Sequence, residues 1–92
     1  MNISGYAFKA NETEIMSNYR KRFREIEHLY GSINIVKTPA YGKGEFSGVL
    51  KTDEEKNLSE LDLALLADNG NLCFGGYCTI SGDKFSGAYY TD

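Results

Sequence analysis

The sequence predicts a single α+β domain in which an antiparallel sheet of about four to five strands packs against one long N-terminal helix. Two patterns support this. Apolar residues recur at helical spacing between residues 12 and 30, whereas after residue 70 they alternate at strand spacing around compact turns. The 92-residue length fits one hydrophobic core, so residues 1–92 are read as one domain.

Residues 3–9, Ile-Ser-Gly-Tyr-Ala-Phe-Lys, read as a first short strand with Tyr6 and Phe8 on one face. Asn11 then offers a cap, with Glu14 at capping-box spacing. Beyond them Ile15, Met16, Tyr19, Phe23, Ile26 and Tyr30 form one apolar stripe, and Gly31 supplies the stop. The helix is placed at 12–30.

Ile33, Ile35 and Val36 start a strand that Thr38-Pro39-Ala40-Tyr41-Gly42-Lys43-Gly44 interrupts. An extended pattern resumes from Glu45 to Lys51, so residues 33–50 read as a hairpin with a long tip. Residues 52–67 carry two signals. Thr52 and Glu55 suggest a short helical turn, yet Leu61, Leu63 and Leu65 alternate with Glu60, Asp62 and Ala64 as in a strand. Because Asp68-Asn69-Gly70-Asn71 reads as a hairpin turn, a turn near 53–58 and a strand over 60–67 are expected. Two further strands, 71–80 and 84–91, meet at Ser81-Gly82-Asp83. The meander leaves Tyr77 and Tyr90 exposed or at an interface.

Composition narrows the function. Thirteen acidic residues against 10 basic ones give a net charge of −3. That disfavours bulk, sequence-independent DNA binding, which needs a basic face to displace counterions, and is too mild for a mimic of duplex DNA. No segment has the roughly 18 consecutive apolar residues of a membrane span, and the start lacks a secretory pattern, so a cytoplasmic location is expected. Cys73 and Cys78 read as reduced thiols, and His28 lies far from them in sequence. They suggest neither a zinc site nor a Cys–His nucleophile, and His28 is expected to be partly buried. No enzyme, cofactor or metal is expected.

Three polar constellations can serve contact. Arg20 and Arg24, with Asn18 nearby, lie on the outer side of the predicted helix and could meet phosphates or an acidic protein patch. A solvated face accounts for them too, since Glu12, Glu14, Glu25 and Glu27 balance the four charges of the Arg20-Lys21-Arg22-Arg24 cluster to which they belong. Asp53, Glu54 and Glu55, with Glu60 and Asp62 beyond, could engage basic residues of a partner or form an acidic helix start. Tyr41 and Lys43 place an aromatic and a cation on the hairpin tip. A faint internal echo, Phe46-Ser47-Gly48 and Phe85-Ser86-Gly87, reads as convergent strand chemistry.

Three segments carry a resemblance: Met1-Asn-Ile-Ser-Gly-Tyr6, the helix from Asn11-Glu-Thr-Glu-Ile15 to Tyr30, and the stretch from Ala67-Asp-Asn-Gly-Asn-Leu72 to Tyr90. Over its length the chain resembles the short α+β anti-CRISPR proteins encoded by bacterial viruses, in particular the type I-F group. The resemblance implies a phage inhibitor that evades host defence without catalysis. It would bind Cas subunits of a type I-F crRNA-guided surveillance complex, with crRNA as a further contact, and block target DNA binding. The group shares no catalytic signature, so it supplies no site residues. A contrasting expectation is a small cytoplasmic adaptor that self-associates through its tyrosine-bearing sheet face. Gly76 to Gly87 is also similar to the strand–turn–strand units of transferrin-binding-type surface lipoproteins, which is read as local strand chemistry.

Overall fold

In a computed structural model, the described residues are 5–8, 13–31, 33–71 and 75–90. In chain order they form β1 (Gly5–Phe8), α1 (Thr13–Tyr30), β2 (Ile35–Thr38), β3 (Lys43–Val49), α2 (Glu60–Ala67), β4 (Gly76–Ser81) and β5 (Lys84–Tyr90). The α+β class holds. All strand pairs are antiparallel in a five-stranded sheet ordered β1-β4-β5-β3-β2.

The stripe of α1 faces inward as its spacing predicts: Ile26 is fully buried, and Ile15, Met16, Tyr19, Phe23 and Tyr30 pack against the core. Gly31 ends the helix at φ +69°, its N–H donating to the Glu27 carbonyl at 2.9 Å. The expected cap, Asn11, lies outside the described residues, as does Cys73. The hairpin tip is shorter than expected, because the strands run on until only Pro39–Gly42 remain between them.

The expected strand at 60–67 is a helix. Ser59 caps α2 in a reciprocal capping box: its Oγ accepts from the Asp62 N–H at 3.1 Å, and Asp62 Oδ2 accepts from the Ser59 N–H at 3.0 Å. Leu63, Ala64, Leu65 and Ala67 are buried around most of the helix, because α2 lies between the sheet and α1. A helix covered on both sides needs apolar residues nearly all round, so its sequence loses the one-sided helical stripe. Asp68-Asn69-Gly70-Asn71 accordingly closes this helix instead of joining two strands. Asn69 and Gly70 still take the positive φ values, 51° and 75°, that the dipeptide favours. The turn before α2 is present as a single 3-10 turn at Glu55–Asn57, where the Glu55 N–H donates to Thr52 Oγ1 at 3.1 Å.

The layers therefore run sheet, α2, α1. The long helix reaches the core mainly across α2 and also borders the sheet edge, where Phe23 and Glu27 line one cavity with Ile35 and Lys37 of β2. On the covered face of the sheet, three cross-strand pairs join an aromatic to a glycine: Gly44 with Tyr89, Phe46 with Gly87, and Gly48 with Phe85. A Cβ at Gly44 or Gly48 would come within 2.3 or 2.4 Å of the opposing ring, so each ring occupies the space its glycine leaves. The Phe46 ring lies 6.4 Å from both Phe85 and Tyr89. The repeated Phe-Ser-Gly is thereby explained: its two copies pair antiparallel about Ser47 and Ser86, each phenylalanine meeting the other copy's glycine.

Candidate functional site: the uncovered sheet face

Strand alternation sends the large rings towards α2 and leaves small and polar groups outside. Register aligns Val36, Ser47, Ser86 and Thr79 in one outward row, and Thr38, Glu45, Ala88 and Tyr77 in the next. Lys43 pairs with Tyr90 at one end of the face, and Val49 with Lys84 at the other. Two contiguous grooves of about 280 and 500 Å³ cross these rows and share Val36, Ser47 and Ser86. Short side chains form the floor. Tyr77 stands at one groove, while Val49 and Lys84 line the other.

Tyr77 and Tyr90 are 38% and 41% exposed, and they stand diagonally on adjacent inner strands. The Lys43 Nζ lies 5.7 Å from the centroid of the Tyr77 ring, within cation–π range. Both tyrosines were expected at the surface, and both are there. Sequence reading missed Glu45, Ser47, Thr79 and Ser86. Their signal was the alternation Lys43, Glu45, Ser47, Val49 against Gly44, Phe46, Gly48, with glycine taking inward places that usually hold apolar side chains.

The residues proposed from sequence do not converge. Asn18, Arg20 and Arg24 are exposed on α1, in the helical layer, whereas the uncovered face lies on the opposite side of the sheet. Arg22, their neighbour in sequence, is structural. Its Nε and Nη2 donate to the two oxygens of Asp62 at 2.9 and 3.1 Å, tying α1 to the start of α2. Asp62 is accordingly buried, not part of an acidic surface. Asp53 and Glu54 are exposed beyond the end of β3, about 20 Å along that strand from Lys43. Glu55 is half-buried and accepts from the Lys51 N–H at 2.7 Å, so it also holds its own loop. Tyr41 is 98% exposed at the tip. Of the eight residues, Lys43 alone belongs to the tyrosine cluster.

Comparison with protein-family models, curated proteins and solved structures finds no match to this chain.

The side chains with catalytic chemistry are placed apart in character. Cys78 is fully buried, and burial pushes its thiol up to about 12, which suppresses the thiolate that a nucleophile needs. His28 is exposed on α1, contrary to the partly buried place expected for it. No group of three or more His, Cys, Asp or Glu among the described residues is arranged to hold a metal. No helix among them is long and apolar enough to cross a membrane.

Proposed function

We propose that this protein is a binding protein which engages a macromolecular partner through the uncovered face of its sheet and acts by occupancy. One observation carries this reading: Val36, Val49, Tyr77 and Tyr90, four of the exposed large apolar residues, share that face beside its grooves. Leaving such side chains in water forgoes burial, and clustered exposure of this kind marks contact surfaces. The buried, protonated Cys78 and the exposed His28 also favour binding over nucleophilic catalysis.

The sequence resemblance names the partner to try, the crRNA-guided surveillance complex of a type I-F CRISPR system. In that reading the protein is a phage inhibitor that keeps the complex from its target DNA. The test is retention of the purified complex by immobilised protein, followed by target-DNA binding with and without the protein. Retention with loss of DNA binding supports the inhibitor, and absence of retention removes this complex as the partner. Replacing Tyr77 and Tyr90 by serine is expected to weaken retention, while Arg20→Glu with Arg24→Glu leaves it intact. The reverse pattern would move the contact to α1. A mass that rises with concentration, and stops rising in the tyrosine variant, assigns the face to a second copy of this chain.

A further inference from the structure

We infer that the uncovered face is built to take single-stranded RNA, with Tyr77 and Tyr90 as a stacking platform. This rests on the reading of that face as the contact surface and names its ligand.

Three observations combine. First, two half-exposed aromatic rings sit diagonally on adjacent inner strands of an antiparallel sheet, where successive bases of an extended strand can stack. Second, charge is sorted. The chain is acidic overall, yet among the described residues of this face Lys43 and Lys84 stand against Glu45, with Asp83 in the turn beside Lys84 at the far end from Tyr90. Asp53, Glu54 and Glu60 lie on the segment between β3 and the start of α2, and Glu14, Glu25 and Glu27 on α1. The global excess of acid therefore does not set the potential where the rings are. Lys43 lies over one ring and across from the other, suited to a phosphate that follows a stacked base. Third, the row beside the platform is made of hydroxyls, Ser47, Ser86 and Thr79, with Thr38 and Glu45 in the next. Hydroxyls can both donate to and accept from a ribose 2′-OH, and Glu45 can accept from a base amino group. A duplex is excluded from this role because its bases are already stacked on one another.

The test is fluorescence anisotropy with labelled single strands of about eight nucleotides, RNA and DNA of the same mixed sequence, at two salt concentrations. The expected result is RNA binding stronger than DNA binding. Tyr77→Ser and Tyr90→Ser each weaken it by about 5- to 150-fold, the range of one lost base stack. Tyr77→Phe keeps the ring and retains affinity, which separates loss of stacking from loss of fold. Lys43→Gln flattens the salt dependence by about 0.7 in log–log slope, one phosphate's worth on a single strand. Arg24→Ala, on α1, leaves binding unchanged. Equal affinity for DNA overturns the assignment to RNA. Absence of RNA binding, or binding indifferent to both tyrosines, overturns the inference outright. If the surveillance complex is still retained through the same tyrosines, the face contacts protein and the proposed function survives. If neither RNA nor complex depends on them, both readings fall.

Discussion

At the residue scale, two aspartates at opposite ends of α2 behave oppositely. Asp62, in the first turn, is the hub of its surroundings. Burial alone would raise its pKa, but the Arg22 fork and the Ser59 N–H outweigh that and hold it below the usual carboxylate value. A depressed folded-state pKa means stability that is present above about pH 4 and lost as pH falls through the folded value. Asp62→Ala breaks the ion pair and the capping box together, so a loss of about 2–3 kcal/mol is expected in urea unfolding at neutral pH. The low end of the buried-pair range applies because the stranded Arg22 side chain is 40% exposed and can turn to water. Asp68, at the other end, has its pKa raised to about 6 by burial, an effect that Lys37 only partly offsets. It also faces the negative end of the helix dipole. A raised pKa reverses the sign: the cost is absent below the ordinary value of 3.8 and complete above about 6. Asp68→Asn should therefore stabilise the protein by about 1 kcal/mol at pH 7, discounted for solvent screening, and by nothing near pH 4. Paired melts at the two pH values check this.

At the scale of elements, the β3–β5 ladder depends on what its glycines lack. A Cβ on Gly87 would lie 2.2 Å from the Tyr77 carbonyl oxygen and 2.9 Å from the Cys78 Cα, both backbone atoms that a rotamer change cannot move. Near Gly48 the closest obstacle is the Phe85 ring, which can shift. Gly87→Ala is thus expected to cost about 3 kcal/mol or more and Gly48→Ala less, although both swaps are chemically identical. Equal losses in denaturant titrations would mean that ring crowding, and not the backbone, sets the cost. The same ladder explains the echo between the two Phe-Ser-Gly segments, since reciprocal ring-over-glycine packing needs the same tripeptide on both strands when they run antiparallel. For α2, Ser59→Ala should cost about 1 kcal/mol, a penalty that a strand at 60–67 would not show.

At the scale of the molecule, the two sides of the sheet have different work. One side holds the rings that stack under α2, and the other holds short hydroxyl side chains, two lysines and two tyrosines. Because Tyr77 and Tyr90 are only 38% and 41% exposed, replacing each by serine should cost about 1–2 kcal/mol, short of unfolding the protein, while removing partner contact. A folded variant without binding is the outcome that separates a contact surface from a structural one. A large loss of stability would place these rings in the fold instead. Salt is the second reporter, because contact through Lys43 and Lys84 must weaken as ionic strength rises, whereas contact through apolar groups alone does not.

The class of fold, the long helix with its inward stripe and glycine stop, the two C-terminal strands, and the surface position of Tyr77 and Tyr90 are legible from the residues alone. Each of these rests on local periodicity or turn chemistry, which a chain expresses before its parts meet. Tertiary structure alone decided three others. Residues 60–67 became a helix because burial between two layers removes the one-sided stripe that marks a surface helix, leaving alternating leucines that read as a strand. Helical spacing already turns Arg22 away from Arg20, but its structural role comes from Asp62, a partner 40 residues away, which no local spacing reveals. The outward row of Ser47, Ser86 and Thr79 exists only once β3, β5 and β4 are in register, because a surface shared by three strands is a property of their pairing and not of any one of them.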